Sequence, residues 1–159
     1  MVQAAAEAGI SGFIIVDLPS DEADKFCSAC SKHSVSFIPL IAPTSTDKRM
    51  EQLSAVASGY LYCVSVTGVT GSRTELSTDL GPYMERVKKF FPTVPLAIGF
   101  GLSNHEHMKT VDQIADGAVM GSAVIKAVDL GTDTASRVEQ LTAFCKDVVF
   151  GPDGAAAKE

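Results

Sequence analysis

The sequence predicts an α/β fold made of βα units, as in part of a (β/α)8 barrel. Short runs rich in β-branched and aromatic residues alternate along the chain with segments of helical periodicity. Such alternation is typical of parallel strands that are joined by helices and buried on both faces. Glycine-rich turns follow the third, fourth and fifth of these runs, and a barrel carries its phosphate-binding loops after its last strands. An open doubly wound sheet, the alternative, normally has its glycine fingerprint after the first strand.

Apolar runs bounded by turn residues predict five strands. They lie at residues 13–18, 36–41, 60–65, 95–99 and 118–120. The first run is closed by Asp17 and Pro19, and the second is followed by Pro43. A complete barrel has eight strands, so these five correspond to strands four to eight of a partial TIM barrel.

Helical periodicity predicts a helix after each strand. The first helix, 21–33, places Ala23, Phe26, Cys27 and Cys30 on one face, and Ser45 or Thr46 is expected to cap the second. The other helices are predicted at 82–91, 104–115, 123–128 and 134–148, and Val2–Ala8 is expected to be the end of a preceding helix. Residues 66–79 lack periodicity and are expected to form a long mobile loop, of the kind that often serves as a lid. Residues 1–150 form the predicted domain, and 151–159 a linker or frayed tail.

Composition excludes several classes of function. The chain has 159 residues, of which 46% are hydrophobic, and this is enough for one globular core. Its net charge of −6 comes from scattered acids without a basic block, which argues against a nucleic-acid partner. No apolar run approaches the roughly 20 residues that cross a bilayer. Four cysteines without disulfide-scaffold density indicate a reducing compartment, and we expect a cytoplasmic location.

The glycine-rich turns have a chemical reason to lie at the ends of the strands. A phosphate oxygen that binds backbone N–H groups must approach closely, and a Cβ would obstruct it. Ser122 adds a hydroxyl and an N–H at the start of a predicted helix, where the helix dipole favours an anion. Each glycine alone is better explained by a tight turn or a helix contact than by a ligand. Together, Gly71, Gly101, Gly121 and Ser122 predict a phosphate-binding site, called the phosphate cradle below.

Two further motifs have the spacing of functional sites. Cys27 and Cys30 are spaced as in redox pairs, but they lie in a helical pattern and are expected to pack as a helix face. The His105-Glu106-His107 segment offers metal ligands, yet residues two apart on a helix do not face each other. We expect it to be an exposed first helical turn without a metal.

Several segments, in unbroken order, resemble the tryptophan synthase alpha family. The motifs that match best are GYLYCVS at 59–65, GVTG at 68–71, GFGLS at 99–103 and GSAV at 121–124. VDLP at 16–19 agrees as well, and PLIAP at 39–43 agrees in the manner of the fused fungal-type enzymes. The resemblance runs from Ala8 to about Ala127 and covers only the C-terminal part of the alpha subunit or alpha region.

The resemblance implies cleavage of indole-3-glycerol phosphate to indole and glyceraldehyde 3-phosphate, a lyase step of tryptophan biosynthesis. Indole then passes to a beta subunit or fused beta region that carries PLP, so no cofactor is expected in this chain. The phosphate cradle would hold the substrate phosphate. Tyr62 matches an active-site tyrosine, Thr70 a loop threonine that assists a catalytic aspartate, Phe100 a residue of the indole pocket, and Asp17 an acid after strand four.

The chain also departs from this family. The two catalytic carboxylates of the family lie on strands two and three, which the sequence lacks, so the isolated chain is expected to be inactive. Val66 stands where the family usually has a basic residue. Two alternatives remain open at this point: another phosphate-binding barrel enzyme that acts on a sugar phosphate, and a non-catalytic partner module.

Overall fold

The computed structural model describes residues 1–16, 18, 20–65, 80–99 and 101–154, without the side chains of 20–22 and 153–154. The helices are α1 (Val2–Glu7), α2 (Ser20–Lys32), α3 (Asp47–Ser54), α4 (Leu80–Phe90), α5 (His105–Asp112), α6 (Ser122–Asp129) and α7 (Thr134–Gly154). The strands are β1 (Gly12–Ile14), β2 (Ser36–Ile38), β3 (Leu40–Ile41), β4 (Leu61–Val64), β5 (Leu96–Gly99) and β6 (Gly117–Val119). The predicted alternation of strands and helices is therefore confirmed in these ranges.

All strand pairs are parallel and follow chain order. β1 pairs with β2, and β3, β4, β5 and β6 form a second, four-stranded sheet in that order. The predicted second strand is divided at Pro39, because proline has no N–H to donate to a neighbouring strand. Its carbonyl still accepts a hydrogen bond from the Tyr62 N–H at 3.0 Å, so the chain continues from one sheet into the other.

Other boundaries differ from the prediction in ways that local packing explains. The first strand stops at Ile14 instead of continuing to residue 18, and Val16 lies 61% exposed in a turn. Thr46, not Ser45, caps α3, because its Oγ1 accepts from the Arg49 N–H at 3.2 Å. Helix α7 continues past residue 148 through a break at Gly151 (φ 77°), which is buried against His105. Residues 155–159 lie outside the described residues, so the linker there stays a prediction.

One face of the four-stranded sheet packs against helices. Ile41, Cys63 and Ile98 are neighbours in the register, and each is 0% exposed. They belong to a core cluster that includes Met84 and Val87 of α4, and the hydroxyl of Tyr83 donates to the Ile41 carbonyl at 2.9 Å. This layer of helices on a parallel sheet is the packing expected of βα units.

The opposite face of the sheet is less covered. Leu40, Tyr62, Ala97 and Gly117 form one row across β3 to β6, and all four are only partly buried. Parallel sheets are ordinarily buried on both faces. In the described residues, this second face of the sheet thus remains half-open.

The remaining predictions on cysteines and membrane helices can be compared directly. Cys30 is 1% exposed and packs with Val2 and Val35, and burial raises the pKa of both Cys30 and Cys27. A redox thiol needs a lowered pKa, so the packed helix face is confirmed. Within the described ranges, no helix is long and apolar enough to cross a membrane.

Candidate functional site

The strand register brings two glycine turns to the same edge of the sheet. Val64, Gly99 and Val119 are paired across β4, β5 and β6, close to the carboxyl ends of these strands. Gly101 and Gly121 each follow two residues after a member of this row. The carboxyl edge of parallel strands is where α/β proteins bind their ligands. These two turns are therefore positioned to act on one ligand.

The turn at Gly121 opens directly into helix α6. Gly121 is the N-cap residue and supplies no side-chain cap, so the first N–H groups of α6 are left for another acceptor. Gly121 and Ser122 are exposed, and a Cβ placed on Gly121 would meet no atom of the described residues within 4 Å. Uncapped N–H groups at the positive end of a helix dipole are features that favour an anion.

The turn at Gly101 is shaped by its backbone conformation and by the residues after it. Gly101 has φ 83°, which residues with a Cβ rarely adopt. Leu102, the next residue, is 3% exposed and belongs to the main core cluster. The Ser103 N–H then donates to Nδ1 of His107 at 3.2 Å. Core packing and this hydrogen bond hold the turn on its C-terminal side, while Gly101 itself stays partly exposed.

Tyr62 lies across the backbone of Gly99. A Cβ on Gly99 would stand 2.0 Å from the Tyr62 hydroxyl oxygen and 2.4 Å from Cζ, so any other residue here would force the ring to move. Burial, and then the neighbouring Tyr60, raises the pKa of Tyr62 above its ordinary value of 10. Its phenol is thus neutral near pH 7 and can donate a hydrogen bond or line an apolar pocket, but it is a poor base.

The predicted site residues divide into two groups. Tyr62, Gly101, Gly121 and Ser122 follow or belong to adjacent strands, and the register brings them to one end of the sheet. The others lie outside the described residues: Asp17, Val66, Thr70, Gly71 and Phe100. Sequence reasoning missed the packing of the Tyr62 ring on Gly99. Contact between neighbouring strands depends on their register, which a single sequence does not give.

The expectation for the two histidines of α5 is wrong. His107 is 4% exposed instead of standing on an exposed turn, and Nδ1 of His105 bonds the Val148 carbonyl of α7 at 3.0 Å. Both rings make contacts because α5 lies between the Gly101 turn and α7: His107 bonds Ser103 of the turn, and His105 bonds Val148 of α7. The Asn104-x-x-His107 spacing resembles a capping box and is the signal that could have located this burial. The described parts of the chain contain no group of three metal-ligating side chains.

Comparisons with known proteins agree with these features. The family model "Tryptophan synthase alpha chain" matches residues 1–150. The tryptophan synthase alpha chain of Methanocaldococcus jannaschii is 41% identical over 143 residues, which are 90% of this chain and 50% of that protein. The tryptophan synthase of Saccharomyces cerevisiae is 45% identical over 124 residues, 78% of this chain and 18% of the yeast protein.

Solved structures give the same result. A chain of the tryptophan synthase α2β2 complex from Pyrococcus furiosus superposes with a TM-score of 0.80 at 28% identity, covering 93% of this chain and 59% of that one. Mycobacterium tuberculosis tryptophan synthase gives 0.79 at 30% identity, with 94% and 55% covered. The chain spans about half the length of the curated alpha chains it matches, 50% and 47% in two of them. With nearly its whole length matched by the family model, the chain belongs to the tryptophan synthase alpha chain family.

Proposed function

We propose that the chain is the C-terminal part of a TIM-barrel alpha chain of tryptophan synthase and supplies the phosphate-binding half of its active site. β1 would be barrel strand four, β2 with β3 strand five, and β4, β5 and β6 strands six to eight. Two observations support this assignment: the strands follow chain order in parallel, and one row on the interior face of the sheet is only partly buried. The missing strands one to three would cover that face.

The substrate in this proposal is indole-3-glycerol phosphate. Its phosphate would accept hydrogen bonds from the N–H groups of Gly101, Gly121 and Ser122, with Gly71 as a fourth contact outside the described residues. The single observation that carries the proposal is the uncapped, unobstructed N-terminus of α6 beside the Gly101 turn. Tyr62 and Phe100 would line the indole pocket, and Thr70 would act in loop closure.

Cleavage of this substrate needs more than phosphate binding. As the carbon–carbon bond between the indole ring and the glycerol chain breaks, a proton must be added to the ring carbon and another removed from the glycerol hydroxyl. The neutral phenol of Tyr62 is a poor base for this purpose. The acid and base would be the carboxylates of strands two and three, so the isolated chain would bind substrate and cleave it very slowly or not at all.

The partner in this proposal is a beta subunit or a fused beta region. One related structure is described as an α2β2 complex, and the matched segment is only 18% of the yeast protein, which leaves room there for further regions. The PLP of the overall reaction would reside in that partner, with no cofactor in this chain. An alpha region of a fused, fungal-type enzyme and a cytoplasmic location are parts of the same proposal.

An indole-release assay tests whether this chain binds the phosphate while the other half of the barrel supplies the acid and base. The purified chain, alone and with a beta subunit, is expected to release no indole above background. We expect release to be restored by adding the N-terminal half of the Methanocaldococcus jannaschii alpha chain, which would supply strands one to three. The matched control is the same fragment with both catalytic carboxylates changed to amides. Indole release by the chain alone would contradict the assignment of the acid and base to the missing half.

A further inference from the structure

Two hydrogen bonds made by His107 join the start of α5 to the Gly101 turn. The side chain of Asn104 accepts from the His107 N–H at 2.9 Å, and the side chain of His107 accepts from the Ser103 N–H at 3.2 Å. In an ordinary capping box the third helical residue, usually Glu or Gln, returns to the N–H of the cap residue. Here a histidine occupies that position and returns to the residue before the cap.

The direction of this bond fixes the tautomer of His107. A backbone N–H can only donate, so Nδ1 must be an unprotonated acceptor and the proton of the neutral ring lies on Nε2. Nε2 is buried and has no hydrogen-bond partner among the described residues. Of the two ring nitrogens, Nδ1 therefore makes the polar contact that reaches the turn.

The contact lies close to the phosphate cradle. Ser103 is two residues after Gly101, and between them Leu102 is anchored in the core. We propose that His107 is a positioning residue, which holds the Gly101 turn in its phosphate-binding shape by accepting a hydrogen bond from Ser103. This inference rests on the proposed function, because it assigns His107 a part in the same phosphate site.

Two kinds of His107 variant separate the hydrogen bond from packing. In His107→Asn, the side-chain oxygen is bonded to Cγ as Nδ1 is in histidine, so it can accept from Ser103. His107→Leu and His107→Phe keep an apolar side chain but have no acceptor. His105→Leu is the matched control, because it changes the same helical turn but loses a bond to α7, at the Val148 carbonyl. We expect His105→Leu to leave the Gly101 turn intact.

The test measures two properties of the full chain by NMR. The first is the hydrogen-exchange protection of the Ser103 amide, and the second is the affinity for glycerol 3-phosphate, followed on the Gly101, Gly121 and Ser122 amides. One lost hydrogen bond corresponds to roughly a three- to tenfold effect. We expect His107→Leu to lower both properties by about that factor, with His107→Asn close to the native chain. His107→Phe repeats the measurement should the leucine variant fail to fold.

The outcomes distinguish this inference from the proposed function. If the native chain fails to bind glycerol 3-phosphate while Ser103 protection follows the predicted order, the proposed phosphate site is overturned and only the hydrogen bond by which His107 holds the turn is confirmed. If the asparagine variant is as impaired as the leucine variant, His107 acts only through packing and the inference is overturned. Equal Ser103 protection in the native, leucine and phenylalanine chains would also overturn it.

Discussion

A methyl group added at Gly99 should displace Tyr62. The new Cβ would stand 2.0 Å from the Tyr62 hydroxyl oxygen, 2.4 Å from Cζ and 2.7 Å from Cε1. Comfortable contacts between such atoms begin near ~3.5 Å, so the ring must shift by about 1.5 Å. Gly99 is buried in β5, and β4 and β6 pair with it on both sides. The backbone is thus held by two neighbours, and the ring has to move.

The cost follows from displacing the partly buried Tyr62 ring, because the strand backbone beneath it is held on both sides. Substitutions of this kind typically destabilise by about 1–3 kcal/mol, and we expect Gly99→Ala to lie in that range. Gly117→Ala is the matched control in the adjacent strand, since its Cβ would meet only the Ala97 Cβ at 3.9 Å. It should be neutral or stabilise by up to ~1 kcal/mol, because glycine in a strand costs conformational entropy.

Urea unfolding of five chains measures this effect: the native chain, Gly99→Ala, Gly117→Ala, Tyr62→Leu and the variant that combines Gly99→Ala with Tyr62→Leu. Leucine lacks the end of the ring that meets the new methyl group. The methyl group should therefore cost less than about 0.5 kcal/mol in the leucine background, a coupling of at least ~0.5 kcal/mol between the two sites. An equal cost in both backgrounds, or a Gly99→Ala chain as stable as Gly117→Ala, would refute the contact.

Three other predictions concern stability and association. Burial raises the pKa of Cys63 from 9.0 to about 12, so above pH 9 the unfolded thiol loses its proton while the folded thiol keeps it, and stability should fall as pH rises. The slope of the free energy of unfolding against pH approaches ~1.4 kcal/mol per pH unit. Between pH 9 and 10 the free energy of unfolding of a Cys63→Ala chain should fall less than that of the native chain. An equal fall in the two chains would contradict the burial effect. Gly81→Ala, with no atom of the described residues within 4 Å of the new Cβ, should stabilise α4 by up to about 1 kcal/mol in thermal unfolding. A loss of stability would contradict that open space. The isolated chain should self-associate, because one sheet face is half-open and Ile14 and Val16 of the β1 segment are exposed. Size-exclusion chromatography tests this, and a sharp monomer peak with cooperative unfolding would contradict it.

The sequence predicts the order of elements well where local chemistry decides it. Thr46 and Asn104 cap their helices through short-range side-chain bonds, and this preference is intrinsic to threonine and asparagine. Glycine turns after apolar runs likewise locate Gly101 and Gly121 at strand ends. In these cases the residues that decide the structure are close together in the chain.

Features that depend on contacts between distant segments are missed. The run from Phe13 to Leu18 is apolar enough for a strand of six residues, but pairing with β2 ends at Ile14. His107 is polar and follows a helix start, which suggests exposure, yet Ser103 and the surrounding packing bury it. The packing of Tyr62 on Gly99 depends on the pairing of Val64 with Gly99. Periodicity within one segment carries no information on such pairings.

The phosphate cradle is tested most directly by the affinity of Gly121→Ala for indole-3-glycerol phosphate, measured by titration calorimetry. The added Cβ meets no atom of the described residues within 4 Å, and weaker capping should cost at most about 1 kcal/mol of stability. It would, however, stand where a phosphate oxygen must approach the α6 N–H groups. We expect roughly tenfold weaker binding, or about 1.4 kcal/mol, with Gly81→Ala as a control that binds like the native chain. Equal affinities of Gly121→Ala and the native chain would contradict a phosphate site at this helix.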